Sequence, residues 1–245
     1  MYEERDSQRV AGAVVWRREA PPAARRSRGP VRVLPDGCMD VIWTGGGLLV
    51  AGPDTRAHLV DDRPREPAGP GGRSRGAAYV GLRLAPGSGP RVLGLPAHEL
   101  RDARVPLDAL WPQRRVRELV ERVALAPDRA AALEALAAGR LREAPGDPLT
   151  DVVAAGLRAG GSVASVARGA GLSERQLHRR SLAAFGYGPK TLARVLRLQR
   201  ALRLIRGGVP PASAAARSGY ADQAHLSREV GALAGVQLSV LLAEA

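Results

Sequence analysis

An internal repeat constrains this chain more than any other feature. One copy, SVASVARGAGLSERQLHRRSLAAFG, runs from Ser162 to Gly186, and a second, ASAAARSGYADQAHLSREVGALAG, from Ala212 to Gly235. Ahead of a central turn the copies lie 48 residues apart, pairing Ala167 with Ala215 and Gly171 with Gly219. Beyond it they lie 49 apart, pairing Ser173 with Asp222, Leu177 with Leu226, Arg179 with Arg228 and Gly186 with Gly235. The second turn is therefore one residue longer than the first.

Each copy reads as helix-turn-helix. A short Ala-rich helix permits a close helix crossing, and Gly171 and Gly219 supply the positive φ that the turn requires. Leu172 and Tyr220 fill the angle between the helices. Ser173 and Asp222 cap the following helix by accepting a backbone N–H. Leu177 and Leu226 then face inward about one turn later. The outward set is Arg175, His178 and Arg179 in the first copy and Gln223, His225, Ser227 and Arg228 in the second. Arginine can pair in bidentate fashion with guanine or with phosphate, glutamine pairs with adenine, and Ser and His read an edge or a phosphate. Any one of these residues alone reads equally as a solvated face. It is the recurrence of an arginine at the matched position that favours nucleic acid.

Between the copies, Thr191–Arg206 places Leu192, Val195, Leu196, Leu202 and Ile205 on one face, and Gly207-Gly208 ends the helix. This segment reads as a stiff spacer able to hold the two units about one DNA turn, near 34 Å, apart. Arg194, Arg197, Arg200 and Arg203 recur along it, mainly as a solvated face.

The length of 245 residues favours two domains. The net charge of +13 favours a polyanionic partner. An Arg-, Ala- and Gly-rich composition also follows from GC-rich coding, so charge alone does not decide. Its distribution adds weight, since residues 147–245 hold 13 basic against 6 acidic side chains. The single cysteine, Cys38, excludes an intrachain disulfide and a multi-cysteine zinc cluster. No apolar run approaches the ~20 residues of a membrane span, and the polar start lacks a secretory stretch. A cytoplasmic protein is the expectation.

Residues from about 10 to 95 are rich in Gly and Pro. Val10–Trp16, Val31–Leu34, Met39–Trp43, Leu48–Ala51 and Tyr79–Leu84 read as strands divided by turn signals, which suggests a small sandwich or barrel. The apolar-poor stretch Arg63–Gly76 reads as a mobile loop. Pro96–Leu100 looks like a helix start. Arg114–Leu125 and Arg129–Leu141 have helical spacing, and Ala144–Pro148 reads as a linker. The expected domains are 1–146, β-rich with a helical segment over about 96–143, and 147–245, all-α.

Asp36, Cys38 and Asp40 crowd a turn, and Asp54 follows Gly52-Pro53. These four are candidates for lining an effector pocket, although a turn with a small buried cysteine is the favoured reading. Catalysis finds little support. Only His58 and His98 precede the helical repeat, no nucleophile–His–acid order stands out, and no Gly-rich phosphate loop follows a strand. No enzyme activity, cofactor or metal is expected.

From the repeat, the linking GYGPKTLARVLRLQRAL and the segment GYADQAHLSRE, the stretch from about Leu149 to Ala245 resembles the AraC family of transcriptional regulators. That resemblance implies a bipartite DNA-binding domain with one reading helix per unit in adjacent major-groove segments. It implies Arg175, His178, Arg179, Gln223, Ala224, His225, Ser227 and Arg228 as DNA contacts. The chain departs from the family's pattern at Ser181 and Val230, where an aromatic is usual, and at Gln237-Leu238, where Thr-Pro is usual. LPDGCMDVIW, VAGPDT, GLRLAPG and LPAHEL are similar to a sensor-type region found in some members, especially actinobacterial ones. This implies a cupin-like β-domain with helices that senses an effector, dimerises or both. The partners implied are promoter DNA, a small-molecule effector, a second copy of the chain and RNA polymerase. The alternatives are a non-specific, charge-driven DNA binder and, behind it, an enzyme with a DNA-binding appendage.

Overall fold

The computed structural model describes residues 2–19, 30–60 and 79–244; the expected mobile loop at Arg63–Gly76 lies outside them. The N-terminal strands are β1 (Tyr2–Asp6), β2 (Val14–Arg18), β3 (Val31–Val33), β4 (Met39–Trp43), β5 (Leu48–Ala51), β6 (His58–Val60), β7 (Tyr79–Leu84) and β8 (Arg104–Pro106). Three alternate as a sheet with one buried face should. Met39, Val41 and Trp43 point inward from β4, Val80, Leu82 and Leu84 from β7, and Leu48 and Val50 from β5. Gly81 is small because Trp16 of the neighbouring strand crosses it, and a Cβ there would fall 2.0 Å from the indole.

Six strands form one antiparallel sheet in the order β1-β2-β7-β4-β5-β8, and β3 pairs with β6 as a separate ribbon. The expected closed, cupin-like barrel is not present, because the sheet is open. Among the described residues β1 pairs only with β2 and β8 only with β5, so no ladder joins the two edges. The edge residues explain this. Tyr2–Asp6 is polar and largely exposed. β8 has three residues and ends at Pro106, which has no N–H to donate.

Helices complete the N-terminal core: α1 (Gly89–Leu93), α2 (Gln113–Leu125) and α3 (Arg129–Glu143). Pro96–Leu100 forms a single 3-10 turn over Ala97–Leu100, not a continuing helix, and β8 follows it. α3 is capped by Asp128, which accepts from the N–H of Ala130 at 2.9 Å. It packs on β7 and on α1 and α2. The Trp111 indole N–H closes the assembly by donating to the Leu93 carbonyl at 2.7 Å.

The rest is helical: α4 (Pro148–Arg158), α5 (Val163–Gly169), α6 (Glu174–Phe185), α7 (Pro189–Arg206), α8 (Pro211–Ser218), α9 (Gln223–Ala234) and α10 (Leu238–Ala243). Two apolar clusters lie along it. Val153, Leu157, Val166, Leu177 and Phe185 share one with Leu192, Val195 and Leu196 of α7. Leu226, Val230, Leu233 and Leu238 share the other with Leu198, Ala201 and Leu202 of the same helix. The spacer is thus also core, with each half serving one repeat unit. At 18 residues it spans about 27 Å.

Candidate nucleic-acid interface

The two repeat units take the same local form because the same groups satisfy the same backbone needs. In the first, Gly171 adopts φ +65° and the Leu172 N–H donates to the Ala167 carbonyl at 2.9 Å. In the second, Gly219 adopts φ +84° and the Tyr220 N–H donates to the Ala215 carbonyl at 3.0 Å. Ser173 accepts from the N–H of Gln176 at 3.2 Å, and Asp222 from the N–H of His225 at 2.6 Å. Leu177 and Leu226 are wholly buried. Gly186 and Gly235 end α6 and α9 in left-handed conformations.

Arg175, His178 and Arg179 of α6 are exposed, as are Gln223, Ala224 and Arg228 of α9, while His225 and Ser227 are half-buried. Among the described residues Arg175, Arg179, Gln223 and Arg228 have no ion pair and no side-chain hydrogen bond, so their polar ends are open to an incoming partner. His178 lies against the backbone of Gly188, where a Cβ would fall 2.7 Å from its ring. His225 is held in its own turn, with Nδ1 accepting from the Ala221 N–H at 3.4 Å and its ring edge-to-face with Tyr220.

Immediately after the matched arginines, α6 and α9 are each tied to the body. Arg180 meets the carboxylate of Asp147, the residue that also caps α4, at 2.5 Å. Its counterpart, Glu229, accepts two bonds from Arg194 of α7, at 2.8 and 3.2 Å. That pair raises the pKa of Arg194, chiefly through the hydrogen bond to Glu229. Arg197 stacks over Tyr220 at 5.0 Å. These two arginines of the spacer therefore belong to the second unit's packing and not to a solvated face.

All three carboxylates among the four N-terminal candidates have protein partners. Asp36 accepts from the Cys38 N–H at 2.8 Å and lies 3.3 Å from Arg83 Nε. Asp40 accepts from the Trp16 indole at 2.6 Å, and burial pushes its carboxyl up to about 6 against the pull of Arg83. Asp54 pairs twice with Arg104, at 2.9 and 2.6 Å. Burial, then Asp36, raises the Cys38 thiol well above its ordinary value, which disfavours the thiolate.

The turn carrying these groups docks on the helices. Gly37 sits where a Cβ would fall 3.3 Å from Leu192 and 3.5 Å from the Tyr187 hydroxyl. The Pro35 carbonyl accepts from Gln199 Nε2 at 2.6 Å. Further contacts reach the ends of α6 and α9. His98 Nδ1 lies 3.3 Å from the Leu182 carbonyl, Arg32 donates to the Ala234 carbonyl at 2.7 Å, and the Ala57 N–H donates to the Leu233 carbonyl at 2.7 Å. Charge patterning carries no trace of these contacts, since most rest on backbone carbonyls.

Among the described residues no helix is long and apolar enough to cross a membrane, and no group of three or more His, Cys, Asp or Glu is placed to hold a metal ion. No curated protein sequence matched the chain. Two crystal structures share its architecture end to end. ToxT from Vibrio cholerae is 10% identical, with a TM-score of 0.50 over 95% of this chain and 97% of that one. ToxT from Vibrio cholerae O395, bound to (E)-4-(8-methylnaphthalen-1-yl)but-3-enoic acid, is 10% identical, with a TM-score of 0.50 over 99% and 98%. At that identity the likeness concerns the fold. Residues 166–243, which hold α6 and α9, match the family model described as Helix-turn-helix domain.

Proposed function

We propose that the chain is a sequence-specific DNA-binding transcriptional regulator of the AraC type, not an enzyme. The observation that carries this reading is the pair of matched helix-turn-helix units, each with an open arginine at the same place, Arg179 and Arg228. In this reading α6 and α9 enter adjacent major-groove segments of a promoter. Arg175, His178, Arg179, Gln223, Ala224, His225, Ser227 and Arg228 form the contacting set. Residues 147–245 are the DNA-binding domain. Residues 1–146 sense an effector, dimerise or both. The protein works in the cytoplasm, and a second copy of the chain and RNA polymerase are its candidate protein partners.

An effector acting on the N-terminal region would act through Asp36, Cys38, Asp40 and Asp54, because the turn at Gly37 beside them abuts Leu192 of α7. One of the two ToxT structures carries a bound carboxylic acid, which makes small carboxylic acids the first effectors to try.

The test is fluorescence anisotropy with the duplex upstream of the chain's own gene against a scrambled duplex, over a salt series. A preference of roughly 10³-fold at physiological salt supports the regulator reading. Equal, steeply salt-dependent binding to both supports a charge-driven binder instead. Arg179→Ala and Arg228→Ala should each cost roughly 1–3 kcal/mol on the target if they read bases. Equal losses on the scrambled duplex would assign them to phosphates.

A further inference from the structure

Each reading helix carries, in its first turn, a side chain that is tied at one end and open at the other. In α6 this is Gln176. Its Oε1 accepts from the backbone N–H of Ser173 at 2.9 Å and lies 2.9 Å from the Ser173 hydroxyl. Only the amide oxygen can accept that N–H, so Nε2, with both its hydrogens, is the free end. In α9 the residue 49 positions on is His225. Its Nδ1 accepts from the Ala221 N–H at 3.4 Å, and the ring is braced edge-to-face against Tyr220, with centroids 5.2 Å apart. A ring nitrogen that accepts carries no proton, so the neutral imidazole holds its proton on Nε2. The longer second turn moves the accepted N–H from the capping residue to the residue before it. Two chemically different side chains thus reach the same state. The acceptor is turned into the fold, and a donor is left outside with no partner among the described residues.

We infer that Gln176 and His225 are a matched pair of donor-only DNA contacts. The inference rests on the helix-turn-helix reading above, since the N-terminal residues of a reading helix are those that approach base edges. Each side chain offers an N–H to an acceptor on the duplex: purine N7, guanine O6, thymine O4 or a phosphate oxygen. Neither can accept from the amino group of cytosine or adenine. Composition hides this, because a glutamine in the open can both donate and accept.

The test uses the full chain and the best duplex recovered from a random-sequence library. Glutamate at either position keeps the acceptor that caps the turn and removes the donor, whereas His225→Gln keeps both ends. Gln176→Glu and His225→Glu should melt like the parent and lose about tenfold or more in affinity. His225→Gln, which restores a donor, should lose several-fold less affinity than His225→Glu. The glutamate losses should persist at high salt, because simple repulsion of phosphates fades as salt screens it. Duplexes lacking purine N7, guanine O6 or thymine O4 one at a time, and one with neutral methylphosphonate linkages, separate base from backbone: the parent should fall to the glutamate variants' level on one of them. Glutamate variants that bind like the parent, losses that vanish at high salt, or a parent indifferent to every modified duplex would each overturn the inference while leaving the regulator reading in place. A library with no enriched sequence would remove both. If the glutamate variants do not fold, a long-range ¹⁵N–¹H spectrum of the parent decides: a proton on Nδ1 of His225 overturns the assignment.

Discussion

Removing Arg194 tests how firmly the second reading helix is held. Its guanidinium gives two hydrogen bonds to Glu229, whose side chain is 12% exposed, while that of Arg194 is 42% exposed. Breaking a fully buried pair by deleting one partner costs roughly 3–5 kcal/mol, and a hydrogen bond to a charged group contributes roughly 1.5–3 kcal/mol. Water reaches the arginine side and screens the pair, so Arg194→Met should cost about 2 kcal/mol, near the low end. For a chain of this length that is a fall in Tm of about 4–8 °C. The carboxylate stranded by the substitution is the main source of the loss, so Arg194→Met combined with Glu229→Leu should be milder than the sum of the two singles, by about 1–2 kcal/mol. Thermal melts of the four proteins measure this coupling. A single substitution that leaves Tm within about 1 °C, or a strictly additive double, would refute the claim that the pair anchors α9.

Three further outcomes follow from the geometry. Gly52→Ala should prevent folding, because its Cβ would fall 1.6 Å from the Leu100 carbonyl oxygen; Gly171→Ala meets nothing within 4 Å and should cost only the left-handed backbone, about 1–2 kcal/mol, as read by urea titration. Burial holds the Asp40 carboxyl at about 6 in the folded chain, above its unfolded value, so the folded state binds the extra proton and stability declines as pH rises from about 4 to about 6. Asp40→Asn should flatten that decline in melts taken across the interval, and an unchanged slope would assign the proton elsewhere. Arg32→Ala removes the bond to the Ala234 carbonyl and the pair with Glu244, so amides at the end of α9 should exchange severalfold faster while those of α6 do not change, by hydrogen-exchange mass spectrometry.

The limits of legibility follow the physics of each segment. β4, β5 and β7 were readable to the residue because one face of each is buried and the pattern alternates. The strand expected from Val10 begins at Val14, since Val10 and Ala13 are buried in a turn rather than in a ladder. β1 left no apolar trace, because a polar edge strand owes its place to backbone pairing and to Arg5, which makes two bonds to the buried Glu134 at 3.1 and 3.2 Å. Closure misled for a related reason. Short strands and turns specify pairing but not whether the last edge meets the first, and here Pro106 blocks one edge. The repeat was legible because its glycines, caps and buried leucines are fixed by local geometry. Gln176 escaped notice because its orientation depends on a hydrogen bond and not on residue type. The two absent aromatics were tolerated, since Ser181 and Val230 are both wholly buried and the helices close over smaller groups.

The seam between the N-terminal region and the second reading helix is stitched through main-chain carbonyls, those of Leu233 and Ala234. A main-chain carbonyl is the same whatever side chain it bears. The helix side of the seam is therefore free to drift in sequence without loosening it, provided the core stays filled. On the other side the burden rests on one side chain, Arg32, and on a loop backbone held by Thr55 and Asp102. The asymmetry gives a rule for transplantation. A chimera that imports a foreign reading helix onto this frame keeps its seam, whereas one that imports a foreign N-terminal region must bring its own Arg32 and its own loop.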